Sequence, residues 1–310
     1  MSLTPWHYRV SGLEVASDTP LFRLRTCGSQ DGLVDVAVRF AGLGAIGQTA
    51  FGWVGGNTGD CVDLVISPTL RFRIENGSSI IVDAQPDVSA AQIATYLFGP
   101  AFAALHYQRG RPPWHAGAVV TPAGAVAVAG MRGAGKSTTV QALLRAGFAF
   151  LCDDQMVVCP ETGRVEPGNP SLKLWRPSAG HFQIPVDPDS RVAEGLEKFH
   201  ISLPCGTPRM AAPLSAICIL VREAGAPLPS RTLLSPQEAV VALCNLAHHL
   251  PAAAAMGRQD AVFHAAAHLA DRVPVFVVRR PDDLSRLGEV VDLVHGAAML
   301  GGAARAGGSG

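Results

Sequence analysis

Eight residues near the middle of the chain, Gly130-Met131-Arg132-Gly133-Ala134-Gly135-Lys136-Ser137, have the types and spacing that phosphate binding needs. They fit Gly-x-x-x-x-Gly-Lys-Ser/Thr at every fixed position. Glycines let the main chain wrap a phosphate with its N–H groups pointing inward. A helix that follows adds the positive end of its dipole. Lys136 then reaches the outer phosphates of a nucleotide, and the Ser137 hydroxyl ligates Mg²⁺. Arg132, Gly133, Ala134 and Thr138 complete the expected cradle. A glycine-rich turn can meet this pattern by chance. The flanks argue against that, because an apolar run precedes the loop and an amphipathic, helix-spaced run follows it.

Asp153-Asp154 ends the next strand-like run. In a parallel sheet that edge is where ligands bind. One carboxylate can hold Mg²⁺ and the other can accept a proton from an attacking hydroxyl. His115 opens the run two strands earlier, and a hydrogen bond from it to a carboxylate would fix that group's orientation and charge.

Several elements must position these groups. His115–Val120 and Ala125–Ala129 read as strands around a tight turn, Thr121-Pro122-Ala123-Gly124. Residues 137–147 have helical spacing and a terminal glycine, and Phe148–Cys152 is strand-like, so the order is one βαβ unit. Upstream, Val34–Phe40 and Val62–Ile66 read as strands, and Asn76-Gly77 sits between two runs as a hairpin. A helix capped by Ser89 follows, bent near Gly99-Pro100, with Ile93, Leu97, Phe102 and Leu105 on its buried face. Glu166–Pro213 is proline- and glycine-rich and reads as a long loop. Beyond it, Leu214–Val221 predicts a buried strand. Ser235, Pro236 and Glu238 predict a capped helix with Val240, Leu243, Cys244 and Leu246 on its apolar face. Val273–Val278 predicts another strand and Leu284–Val294 a last helix. The domains expected are a β-rich unit over 1–110, a phosphate-loop domain over 111–298 and a disordered tail over 299–310.

Composition narrows the function class. Of 310 residues, 48% are apolar and 16% charged, which excludes a disordered chain. Twenty-five basic residues balance twenty-five acidic ones, so neither general nucleic-acid binding nor an anionic membrane surface is expected. The cysteines at 27, 61, 152, 159, 205, 218 and 244 have no paired spacing, so neither a zinc site nor a disulfide framework is expected. No secretory signal is visible, and a cytoplasmic protein is expected.

Taken together, His115-Ala116-Gly117, Gly130–Thr138, Val140–Ala146 and Phe148–Asp154 resemble the catalytic domain of the HPr kinase/phosphorylase family. His115 lies 21 residues before Lys136 and Asp154 lies 18 after it, separations that suit the family. With Pro170-Ser171-Leu172-Lys173-Leu174-Trp175, the chain is more similar to HPr-kinase-related serine kinases of lasso-peptide and other peptide-modification systems. The resemblance implies an α/β fold: a P-loop kinase domain of the HPr kinase/phosphoenolpyruvate carboxykinase type, a mixed sheet with flanking helices, beside a small β-rich α+β unit. It implies ATP and Mg²⁺, with Asp154 as general base, His115 as its partner, Asp153 and Ser137 on the metal, and a serine of a peptide or small protein as acceptor. A homo-oligomer is open, since HPr kinases are hexamers. The chain departs from that family after the Asp pair: no Glu-Ile-Arg-Gly segment follows, Glu166 being nearest. Arg279-Arg280 is a faint substitute for a late basic loop. Lys198 in the long loop reads as a solvated lysine that could touch a phosphate. Two rival functions remain: a nucleotide-binding accessory protein without transfer, and a kinase of a small-molecule hydroxyl.

Overall fold

The computed structural model describes residues 5–22, 24, 26–27, 33–44, 51–55, 59–193, 195–203 and 210–307. Cys205 and tail residues 308–310 lie outside these. The chain divides into two compact units. Unit 1 holds Met1–Pro113, Val192–Leu196 and His248–Val262; unit 2 holds Trp114–Arg191, Glu197–Ala247 and Phe263–Gly310.

Unit 1 opens with strands β1 (Trp6–Val10), β2 (Leu13–Ser17), β3 (Val36–Phe40), β4 (Gly52–Gly55), β5 (Cys61–Ser67), β6 (Leu70–Glu75) and β7 (Ser79–Ala84). They form one sheet in the order β1-β2-β3-β7-β6-β5-β4, parallel only at β2/β3 and β3/β7. The β6–β7 hairpin turns on Asn76 and Gly77, both with positive φ, as the Asn-Gly pair predicts. Helices α1 (Ala90–Tyr96) and α2 (Phe102–Gln108) flank a π-turn, Leu97–Ala101, containing Pro100. Proline has no N–H to continue the ladder, so the bend falls there. The Ser89 side chain accepts a hydrogen bond from Gln92 N–H, the expected cap. Leu97, Phe102 and Leu105 are buried; Ile93 is half-buried.

Unit 2 begins with the hairpin β8 (Ala116–Thr121) and β9 (Gly124–Ala129), then α3 (Lys136–Arg145) and β10 (Ala149–Cys152). Next come β11 (Arg164–Val165), β12 (Ser171–Trp175), α4 (Arg176–His181), β13 (Lys198–Ser202), β14 (Ala212–Arg222), β15 (Ser230–Leu233) and α5 (Pro236–Asn245). The capping box at Ser235 and Glu238 is present. The chain then returns to unit 1 with α6 (Leu250–Ala255). Helix α7 (Gln259–Arg272) begins there and ends in unit 2, followed by β16 (Val275–Arg280) and α8 (Leu287–Gly307).

The main sheet of unit 2 is mixed, ordered β10-β8-β9-β14-β16-β15. Strands β9, β14 and β16 are parallel, and β8 is antiparallel to both β9 and β10. The βαβ unit therefore exists with β8 inserted between its strands, and β9 and β10 end at the same sheet edge. Strand β9 is buried throughout, as an apolar run inside a covered sheet should be. Val126, Val128, Cys218 and Val278 form a core with Val140 and Leu143 of α3 and Val290 and Val294 of α8.

Two expectations about irregular segments differ from the structure. Within Glu166–Pro213, β12 and β13 pair antiparallel with Leu172, Leu174, Phe199 and Ile201 buried. Surrounding prolines and glycines hide that short alternation. The Gly/Ala-rich tail continues α8 to Gly307. Small residues there permit close approach: a Cβ on Gly301 would lie 1.8 Å from the Ser215 carbonyl oxygen. No helix among the described residues is long and apolar enough to cross a membrane, and the six described cysteines are free thiols.

Candidate active site

Strand β9 delivers Gly130 to the sheet edge, and α3 begins six residues later. Gly130 has φ +142° and Gly135 has φ +96°, so the loop uses backbone conformations that glycine adopts without strain. A Cβ at 130 would also meet the Leu220 carbonyl oxygen at 2.8 Å. Lys136 is buried, and its Nζ donates to the Gly130 carbonyl at 2.8 Å and the Met131 carbonyl at 3.2 Å. Burial, partly offset by Asp154 and Asp153, lowers its pKa to about 8. Arg132 and Gly133 are exposed at the loop crest, and Ala134 is buried beneath it. Thr138 pairs its hydroxyl with that of Ser178 at 2.9 Å, tying α3 to α4.

Asp153 follows β10 directly and is buried. The Ser137 hydroxyl lies 3.1 Å and 3.0 Å from its two carboxylate oxygens, and Lys173 N–H donates to it at 3.2 Å. Burial raises its pKa, with Asp154 adding to the rise and Lys198 opposing it. Glycine at 117 keeps the space open, since a Cβ there would lie 3.1 Å from Asp153 Oδ1.

Asp154 occupies a strained position. Its φ is +68°, and Gln155 N–H donates to the Asp153 carbonyl at 2.8 Å, which makes Asp154 the centre of a γ-turn. For a residue with a side chain this costs on the order of 1–3 kcal/mol, the kind of strain that gathers at functional sites. The turn brings its carbonyl to His115 Nδ1 at 3.1 Å, with Oδ1 3.5 Å from the same nitrogen. Trp114 exchanges main-chain hydrogen bonds with Met156 at 2.8 and 2.9 Å, pinning His115 beside the turn. Burial lowers the His115 pKa, with Lys136 adding to the effect and Asp154 opposing it.

Three basic residues complete the site: Lys173, whose role the sequence did not reveal, and Arg280 and Lys198, which it offered only as weak candidates. Lys173 on β12 places its Nζ 2.7 Å from Asp154 Oδ2. Burial opposes its charge, but Asp154 and then Asp153 outweigh this, so its pKa is raised. Arg280, at the end of β16, is buried and donates from Nε to the Ala134 carbonyl at 2.9 Å, beneath Gly135. Lys198 on β13 is half-buried beside the same cluster. A lysine between two buried leucines was the available signal for Lys173. Glu166 donates its N–H to the Val157 carbonyl.

The residues present fit a magnesium-bound nucleotide. Cis ligands of octahedral Mg²⁺ lie about 2.9 Å apart, from bonds of about 2.05 Å. Ser137 and Asp153 oxygens already have that separation, 3.0 Å. The raised pKa of Asp153 marks a buried carboxylate short of compensating charge, which a divalent cation supplies.

No protein-family model matches the chain, and no curated protein matches it significantly. Among solved structures it is similar to the Hpr(Ser) kinase/phosphatase from Coxiella burnetii, at 14% identity and a TM-score of 0.28, over 59% of this chain and 94% of that one. At that TM-score the likeness decides nothing, and the functional reading rests on the site's own geometry.

Proposed function

We propose that unit 2 is a P-loop phosphotransferase domain that uses ATP and Mg²⁺ to phosphorylate an alcohol, with a serine of a peptide or small protein as the favoured acceptor. One observation carries the reading: a strained Asp154, oriented by His115 and Lys173, stands at the same sheet edge as Lys136 and the Ser137–Asp153 pair.

The loop N–H groups and Lys136 bind the outer phosphates, Ser137 and Asp153 hold the metal, and Asp154 accepts the hydroxyl proton. Bound Mg²⁺ offsets charge on the phosphate oxygens. The acceptor oxygen bonds to the terminal phosphorus. The bond from that phosphorus to the bridging oxygen breaks, and its electron pair leaves with ADP. The proton passes to Asp154. Positioning and electrostatics supply most of the acceleration, with the base contributing about 10²–10⁴-fold. A lasso-type precursor peptide is favoured among acceptors because Pro170–Trp175 resembles the segment of those kinases.

The accessory-protein reading has one observation in its favour: Lys173 already holds the Asp154 carboxylate at 2.7 Å, which weakens it as a base. Intact-mass spectrometry separates the readings. Candidate precursor peptides and small alcohols are incubated with protein, ATP and Mg²⁺. A gain of one phosphate on a peptide supports the favoured acceptor, and a gain only on a small alcohol supports the small-molecule kinase. No gain on any acceptor, with ATP tightly bound, supports the accessory protein.

A further inference from the structure

The two-stranded ribbon β12–β13 brings a lysine to the site that the reaction above does not use. Phe199 and Ile201 of β13 are buried, as are Leu172 and Leu174 of β12. Successive side chains point to opposite faces of a strand, so Lys198 and His200 share the other face with Lys173 and Trp175. The register sets Trp175 opposite Lys198 and Lys173 opposite His200. Lys173 and Lys198 are thus diagonal neighbours, about 7–8 Å apart at Cα for such a pair. Lys173 touches Asp154, so this face of the ribbon is turned toward the carboxylates.

Lys198 has no anionic partner among the described residues. The neighbouring Glu197 is engaged by Arg176 and Arg191 on the exposed side. A half-buried lysine beside Lys173, with no ion pair among the described residues, is a ready donor for a ligand that brings negative charge. Asp154 is paired with Lys173 and Asp153 lies beneath Ser137. Among the described residues no side-chain carboxylate is left to pair with Lys198, which leaves it open to an anionic ligand.

We propose that Lys198 is a ligand of the terminal phosphoryl group of the bound nucleoside triphosphate, reaching it from the ribbon while Lys136 holds it from the loop. The proposal rests on the nucleotide-binding reading above. It accounts for the ribbon: one strand orients Asp154 through Lys173, and the other meets the group to be transferred.

The test is calorimetric titration of the full chain with a non-hydrolysable ATP analogue and with ADP, both with Mg²⁺. In Lys198→Met, analogue binding should weaken by about 10–100-fold, as for loss of a charge-assisted hydrogen bond, while ADP binding stays within about twofold. Lys198→Arg should recover most of the loss. Lys198→Gln, run in parallel, guards against misfolding of one variant, and unchanged thermal unfolding is required of each. Equal losses for both nucleotides, or no loss for either, overturn the proposal. Failure of the wild-type chain to bind either nucleotide overturns the nucleotide reading itself.

Discussion

One added methyl group tests how the phosphate loop is built. At Gly135 a Cβ would lie 2.5 Å from Arg280 Nη2 and 3.0 Å from its Cζ. Contact distances are about 3.4 Å or more, so the guanidinium must move by about 1 Å. That movement breaks the hydrogen bond from Arg280 Nε to the Ala134 carbonyl, now 2.9 Å. A hydrogen bond from a charged donor is worth about 1.5–3 kcal/mol. Alanine at φ +96° adds about 1–2 kcal/mol of backbone strain. Gly135→Ala should therefore cost about 2.5–5 kcal/mol, read as urea unfolding of the apo chain or, where the loop yields locally, as ATP affinity lower by about 10²-fold or more. A double-mutant cycle isolates the mechanism. In an Arg280→Ala background only the strain remains, so Gly135→Ala should cost about 1–2 kcal/mol there. Equal costs in both backgrounds would refute the account of Arg280 as the loop's support.

Two further changes test the fold. His106 is fully buried in α2, and neither ring nitrogen has a hydrogen-bond partner among the described residues. Burial, then Arg109 and Arg111, lowers its pKa from 6.5 to about 3. The unfolded chain therefore takes up this proton before the folded one, and stability falls as pH drops from 6.5 toward 3, at about 1.4 kcal/mol per pH unit. His106→Leu should be more stable than wild type at pH 7 by about 1–3 kcal/mol in urea unfolding, with a margin that widens as pH falls; lower stability at pH 7 would count against it. Gly301→Val forces a Cβ into the Ser215 carbonyl oxygen and should destabilise unit 2 by about 3 kcal/mol, whereas a frayed tail would leave its melting curve unchanged.

How much of this was legible in the sequence varied with the range of the signal. Local chemistry was plain. The glycine turn before the helix at Lys136, the Asn76-Gly77 turn, the Ser89 cap and the Ser235–Glu238 box each depend on a few adjacent residues, and each forms the expected local element. His115 was expected to bond a carboxylate; its Nδ1 lies 3.1 Å from the Asp154 main-chain carbonyl and 3.5 Å from the Asp154 carboxylate. What sequence could not give was pairing at a distance. Lys173 reaches Asp154 only because β12 pairs with β13, and those strands lie in a segment whose prolines suggested a loop. Arg280 reaches Ala134 only through the parallel order β9-β14-β16. The strained turn at Asp154 has no glycine or asparagine to announce it. Composition misled at the chain's end, where glycine serves close helix–sheet contact rather than disorder.

In the proposed function, Asp154 is the base of a phosphoryl transfer whose nucleotide is bound by separate groups. The most direct measurement pairs two readouts on Asp154→Asn in one preparation: calorimetric ATP binding with Mg²⁺, and phosphate gain on an acceptor peptide by intact-mass spectrometry. The account predicts ATP affinity within a few-fold of wild type and transfer slowed by about 10²–10⁴-fold. Transfer at the wild-type rate by the asparagine variant would contradict it.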